Sequence, residues 1–392
     1  MRVLGMISGT SHDGIDAAVV EFDLRDGVLR GTVLHTATTP YDAGLREHLL
    51  RTLPPAELQF ADVCQLDTLI GQAFAEVAAA AIARSGPVDL VCSHGQTVYH
   101  WVEGQRALGT LQLGQPAWIA ERTGAPVVAD LRIRDITAGG HGAPLVSQMD
   151  TLLLCDLPGN PAALNLGGIA NMTLLRGPRG PLAYDIGPAN TLIDAAALSS
   201  SGGTLGYDED GRLAAAGRVD GGLLAELLRE PYYALPAPKT TGKELFNAAY
   251  LEAALARHSG LRTEDIVATV TALTAETVAA EVRRHGVDAL VVSGGGCANP
   301  TLMAMLRERL PRVTVTPSTE FGAPTDAKEA IAFALIGWHT AHGLPSVVPS
   351  CTGARAARIL GAIVPGSGPL RLPAPLAQPP RALRLSLSST GG

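Results

Sequence analysis

The run Gly9-Thr10-Ser11-His12-Asp13-Gly14-Ile15-Asp16 has the residue types of a phosphate cradle. Gly9 and Gly14 let backbone approach an anion closely and accept positive φ. Thr10 and Ser11 add hydroxyls, and successive N–H groups in such a turn form an anion-binding concavity. Asp13 and Asp16 repel a bare phosphate, so they call for a divalent cation, or a water on one, in between. An ordinary Asp/Gly hairpin turn would use the same residues. A Walker loop needs Gly-x-x-x-x-Gly-Lys-Ser/Thr opening a helix. The chain's three lysines, Lys239, Lys243 and Lys328, all stand elsewhere.

Four further stretches carry chemical groups. Ser293-Gly294-Gly295-Gly296-Cys297-Ala298-Asn299-Pro300 lies between an apolar strand and a helix start. That order seats a nucleotide's base and ribose, and three adjacent glycines favour a ligand over packing. Ser93-His94-Gly95-Gln96-Thr97 ends the apolar run Val88–Cys92, where ligands gather in open α/β sheets. There His94 reads equally as a sugar contact or as a fixture of the turn. Arg132 and Arg134 alternate with Leu131 and Ile133, so two guanidinium groups would share one side and suit an anionic ligand. Salt bridges to Asp130 and Asp135 are the plainer reading. Lys239-Thr240-Thr241-Gly242-Lys243 reads either as a phosphate contact or as a basic loop.

These groups need a frame. Arg2–Ile7, an apolar run, with Ile15–Asp23 and Val28–Thr36 reads as a three-strand meander. Ala163–Leu166, Gly167-Gly168, Ile169–Leu175 and Leu182–Asp185 repeat that pattern, so two similar halves are expected. Helices are predicted over about 43–52, 60–84, 263–285 and 327–341, and buried strands over 126–129, 289–292 and 313–315. The expected organisation is a first domain over 1–160 and a second over 161–345. A segment over 346–365 then packs on the core, and a Pro-rich tail over 366–392 stays outside the fold.

Composition sets the class. A chain of 392 residues with 46% hydrophobic and 4% aromatic residues fits a two-domain α/β enzyme. A net charge of −7 argues against a general nucleic-acid binder. Five scattered cysteines without C-x-x-C spacing argue against a disulfide framework or a zinc site. There is no signal-peptide pattern, and no run reaches the roughly 18–20 apolar residues of a membrane helix. The expectation is a cytoplasmic protein with no membrane partner.

In this order the motifs resemble the anhydro-N-acetylmuramic acid kinase family over about residues 2–364. The matching runs are Gly5–Asp16, His94–Thr97, Asp130-Leu131-Arg132 with Asp135, Gly139–Leu145, Leu164–Asn171, Asp185–Asn190, Gly294–Gly296 and Asp326–Ala330. The resemblance implies two actin-like (ribonuclease H-like) α/β domains with an interdomain nucleotide and substrate cleft. It also implies ATP and Mg²⁺, a small-molecule sugar substrate, a homodimer, and a place in cell-wall recycling. The implied reaction opens the 1,6-anhydro bridge with water and phosphorylates O6. By the same resemblance Asp185 is the catalytic base. Gly9, Thr10, Ser11, His12, Asp13, Gly14, Ile15, Asp16, Gly187, Asn190, Gly294, Gly295, Gly296 and Asn299 bind ATP. Thr97, Arg132 and Glu329 bind sugar, and Asp13 and Asp16 hold the metal through water. His12 stands where the family has Leu. Ile186 and Ala189 stand where it has Thr and Gly, which leaves open a catalytically impaired homologue beside a kinase acting on an ordinary hydroxyl.

Overall fold

The computed structural model describes residues 1–9, 11–53, 56–104, 106–177, 180–200 and 206–388. Thr10, the helix stop read at Pro54-Pro55, and the last four residues of the tail lie outside them. The chain divides into two units: unit 1 is Met1–Asp156 with Phe321–Gly392, and unit 2 is Leu157–Glu320.

Unit 1 is built on strands β1 (Arg2–Ser8), β2 (Gly14–Arg25), β3 (Val28–Pro40), β4 (Leu90–Glu103), β5 (Arg106–Leu113) and β6 (Val127–Ala129). Unit 2 carries β7 (Pro161–Leu166), β8 (Ile169–Gly177), β9 (Gly180–Pro188), β10 (Ala289–Ser293) and β11 (Thr314–Pro317). Strands β12 (Ala362–Val364) and β13 (Ala382–Leu387) return to unit 1. The order in unit 1 is β12-β6-β4-β1-β2-β3-β13, with β5 on β4; in unit 2 it is β11-β10-β7-β8-β9. Each sheet therefore has the same heart, an antiparallel meander whose first strand pairs in parallel with the fourth. The expected repeat is present as a repeated topology.

The apolar runs explain the layers. Strand β1 is buried from Val3 to Ser8, as a central strand covered on both faces must be. The helix Lys328–Ala341 is buried over nearly its whole length and packs on β1 and β2. Gly5 makes that approach possible, because a Cβ there would lie 2.0 Å from the Ala330 carbonyl oxygen. The helix Phe60–Ser85 is long and apolar enough to cross a membrane by length and composition. Here Leu66, Ile70, Phe74, Val77, Ala78 and Ala81 of that helix belong to the unit 1 core.

The structure corrects the expected boundaries. The second unit closes at Glu320 rather than at 345, because the helix after it buries its apolar surface on the first sheet. The tail is also part of the fold. Arg381 N–H donates to the Gly27 carbonyl at 2.8 Å, and Ala382–Leu387 pairs in parallel with Val28–Val33. Proline content hid the alternation Ala-Leu-Arg-Leu-Ser-Leu, whose Ala382 and Leu383 are buried. Strand β4 runs on to Glu103, so Ser93–Thr97 lies within a strand. A register shift there places Gln96 opposite Ser8. Residues 133–137 form one helical turn, so Arg132 and Arg134 do not alternate on a strand; Arg134 is exposed.

Candidate active site

In unit 1, Gln96 organises the turn after β1. It is fully buried in a strand and donates from Nε2 to the Gly9 carbonyl at 3.1 Å. Its Oε1 lies 2.6 Å from the Ser8 hydroxyl, which is also 2.6 Å from the Gly14 carbonyl. The Gly9 backbone is thereby fixed by a side chain eighty-seven positions away. Neither Gly9 nor Gly14 takes the positive φ expected of it; His12 does, at +56°. A Cβ at Gly9 would meet nothing closer than Ser11 Oγ at 3.8 Å, so this glycine leaves open space. Gly14 instead answers a close approach, since its Cβ would lie 2.5 Å from the Thr39 carbonyl oxygen. The Ile15 side chain is in the core.

The acids of this turn are partly spoken for. Ser11 Oγ donates to Asp13 at 2.7 Å, and Thr38 Oγ1 donates to Asp16 at 2.6 Å. Burial pushes Asp16 up to about 6, and the charges of Glu329, Asp13 and Asp326 add to the rise. Among the described residues no group of three His, Cys, Asp or Glu side chains could hold a metal ion. The donor set fits a cation bound through water and phosphate oxygens, not a protein cage.

The residues expected at the sugar lie close by in the same unit. Arg132 Nε donates to His94 Nε2 at 2.8 Å, and Arg132 Nη1 donates to the Gly142 carbonyl at 2.7 Å. Because His94 Nε2 accepts, its proton sits on Nδ1, 3.0 Å from the Gly95 carbonyl. Burial, and then the Arg132 charge, hold His94 well below its usual range, so it stays neutral. Burial brings the Arg132 guanidinium down to about 10, opposed by Glu329 and Asp135. Asp135 is not a salt-bridge partner in waiting: Oδ2 accepts Gly142 N–H at 2.7 Å and Oδ1 accepts Thr352 Oγ1–H at 2.8 Å. It shapes the glycine loop, and a Cβ at Gly140 would collide with it at 2.2 Å. Glu329 opens the helix Lys328–Ala341; burial raises its pKa, opposed by Arg132 and Lys328. Lys328 beside it is held 2.5 Å from Asp150, both buried. Thr97 Oγ1 accepts from Gln112 Nε2 at 3.2 Å.

In unit 2, Asp185 stands near the end of β9, half-buried. Thr240 Oγ1–H donates to its Oδ2 at 2.7 Å, and Thr241 N–H donates to the same oxygen at 3.1 Å. Burial raises its pKa to about 6 against those two bonds, and the Glu244 carboxylate adds to the rise. Ile186 and Ala189, the departures that put this loop in doubt, both point into the unit 2 core. Their volume is absorbed by packing, and Asp185, on the other face of the strand, keeps its carboxylate out of that core. The turn Gly167-Gly168 accepts the amides of Ala189, Asn190 and Thr191 at 2.9–3.1 Å.

Packing explains more of the second glycine cluster than its sequence suggested. A Cβ at Gly294 would lie 2.5 Å from Asn165 Oδ1, and one at Gly296 would lie 2.7 Å from Leu166 Cβ. Gly295 is exposed, with nothing nearer than Asn190 Nδ2 at 3.8 Å. Asn190 Nδ2 donates to the Leu166 carbonyl at 3.3 Å. Asn299 caps the helix Pro300–Arg309 by accepting Leu302 N–H at 2.9 Å. Gly187 lets the Tyr233 ring close in, since a Cβ there would lie 2.8 Å from it. Sequence reasoning quoted Gln96, Asp135 and Thr240 within candidate runs but gave none of them the positioning contacts seen here. A polar residue inside an apolar strand was the available signal for Gln96.

Two units with the same five-strand core order, a meander continued by two parallel strands, define the actin-like class of α/β proteins. The family model for anhydro-N-acetylmuramic acid kinase matches residues 1–366, and the chain belongs to that family. A Streptomyces coelicolor protein named anhydro-N-acetylmuramic acid kinase is 55% identical, over 98% of this chain and 99% of its own. A Rhodococcus erythropolis protein of the same name is 51% identical over the same shares. One from Caldanaerobacter subterraneus is 38% identical, over 92% of this chain and 96% of its own.

Proposed function

We propose that this protein uses ATP to open the 1,6-anhydro bridge of 1,6-anhydro-N-acetylmuramic acid with water and to phosphorylate O6. The products are N-acetylmuramic acid 6-phosphate and ADP, within cytoplasmic cell-wall recycling. The observation that carries the reading is Asp185: a half-buried carboxylate at a strand end, tied by one oxygen and poised near 6. A base with that pKa is mostly ionised at neutral pH yet still basic enough to take a proton.

Asp185 removes a proton from water as the water oxygen bonds to C1. The C1–O6 bond breaks and its electron pair goes to O6. That oxygen attacks the terminal phosphorus of ATP, and ADP leaves. Arg132, held by His94 and Gly142, offers a fixed guanidinium to the lactyl carboxylate that marks a muramyl sugar. Glu329 and Thr97 orient sugar hydroxyls. The turn Gly9 to Asp16 cradles phosphate, and Asp13 and Asp16 would hold Mg²⁺ beside it. There it would supply neutralisation of the phosphate charge.

Turnover in ¹⁸O-water tests the proposal. The expected result is ADP release dependent on the anhydro sugar, with label at C1. Label missing from C1 would point to a kinase acting on an ordinary hydroxyl, and no ADP release would mean an impaired homologue. Asp185→Asn should lower turnover by about 10²–10⁴-fold while ATP and sugar binding persist. Near-normal turnover in that variant would remove the base assignment.

A further inference from the structure

Asp185 is tied to one irregular segment of unit 2, residues 232–241, through four hydrogen bonds. Two involve its backbone: Tyr232 Oη–H donates to the Asp185 carbonyl at 2.6 Å, and Asp185 N–H donates to the Lys239 carbonyl at 3.0 Å. The other two reach its carboxylate, from Thr240 Oγ1 and Thr241 N. Both land on Oδ2. Among the described residues no donor meets Oδ1.

The segment has no regular structure between the turn Pro231–Ala234 and the helix Ala248–Leu255, so something else must hold it. Lys239 does. Its ammonium is buried, donates to the carbonyls of Tyr232 and Tyr233 at 3.3 and 3.1 Å, and lies 3.8 Å from Glu281. It also sits 4.8 Å from the centre of the Tyr232 ring. A lysine so placed faces the interior of its own unit. Its service is to pin the two residues that follow it, so the Lys-Thr-Thr run is a bracket for the acid on β9.

We propose that Thr240 is a positioning residue for the base: with the Thr241 amide it occupies Oδ2, fixes the carboxylate plane and presents Oδ1 as the oxygen that takes the proton from water. This rests on the proposed role of Asp185. A carboxylate held at one oxygen by two donors has one orientation instead of many, and orientation is a large part of what a base contributes. The Thr240 hydroxyl also bonds the ionised form, which keeps the acid ionised against its burial. The other titratable or charged groups around it are Glu244, Tyr232 and Lys239, and none of them changes in the variants below.

The test is the pH profile of kcat for Thr240→Val and Thr240→Ser in the full chain. Thr240 is exposed, so Val removes the donor at little packing cost. Thr240→Val should lower kcat at pH 7 by about tenfold and move the acid limb up by about one pH unit. KM for ATP and sugar should stay within about twofold, because no substrate contact is lost. Thr240→Ser, which keeps the donor, should restore limb and rate. An unmoved limb overturns the proposal, whether kcat is unchanged or is lowered evenly across pH. If Thr240→Val does not fold, Thr240→Ala gives the same readout. Asp185→Asn is assayed alongside. Retained turnover there would sink the base assignment itself, whereas its collapse with an unmoved Thr240→Val limb would sink this inference alone.

Discussion

A carboxylic acid whose burial raises its pKa makes folding less favourable wherever it must ionise, and Asp185 offers a direct measure of that cost. Its ordinary value of 3.8 rises to about 6 in the folded chain, from burial first and the Glu244 charge last. Below 3.8 the group is neutral folded and unfolded, and its contribution to stability is greatest. Between 3.8 and about 6 the unfolded chain ionises first, so stability falls as pH rises. Above about 6 the loss is complete. The full rise corresponds to about 3 kcal/mol at most. Solvent screening of a half-buried carboxyl brings this to about 1–2 kcal/mol. Asp185→Asn removes the ionisation and keeps an amide oxygen for the Thr240 and Thr241 donors. The variant should melt higher than the parent at pH 8, by about 1–3 °C, and at nearly the same temperature at pH 4. Asp16, Asp135 and Glu329 are also raised, but they are shared by both proteins and cancel in the difference. Thermal melts of the two proteins across pH 4–8 make the comparison. An equal gain at both ends, or a loss at pH 8, would refute the reasoning.

Two further outcomes follow from unit 1. Lys328→Met strands the Asp150 carboxylate in the interior and should cost about 3–5 kcal/mol, most of it returned by Asp150→Leu in the double variant. Denaturant melts of the four proteins as a cycle would show it, and a single-variant loss under about 1 kcal/mol would contradict it. His94→Leu removes the acceptor that orients Arg132, so sugar KM should rise about tenfold with kcat and ATP KM nearly unchanged. Steady-state kinetics decide it, and a sugar KM within about twofold of the parent would count against the His94–Arg132 bracket.

Local pattern carried much of this architecture. The meander Arg2 to Thr36 and its echo at 163–185 each begin with an apolar run and continue as strands between glycine turns, and both sheets form around them. The helix read over Thr263–His285 ends within a residue of the observed Arg284, because its acids and bases sit at the ends the dipole favours. What escaped depends on contacts distant in sequence. Nothing near residue 320 marks the return to unit 1; that is decided by Gly5 admitting the backbone of a helix more than three hundred residues later. Gly294 and Gly296 looked like ligand glycines because the Leu166 backbone and side chain they accommodate lie far away in sequence. Lys239 read as a phosphate contact or part of a basic loop because its partners are main-chain carbonyls, which composition does not show. At the site, Asp13, Asp16 and Arg132 were singled out from residue type, whereas Asp185 and Glu329 came from the resemblance alone. Gln96, Asp135 and Thr240, which aim the backbone and side chains around them, were not legible in that role, since each acts through one hydrogen bond or two across the fold.

The parallel pairing of β13 with β3 has a bearing on synthesis. Its side of the first sheet is finished by residues translated only after the whole of unit 2 has been made. Until then β3 presents an open row of amides and carbonyls from Val28 to Val33 to whatever strand comes by, the kind of edge through which nascent chains stick to one another. Truncating the chain before Arg381 would make that transient vulnerability permanent.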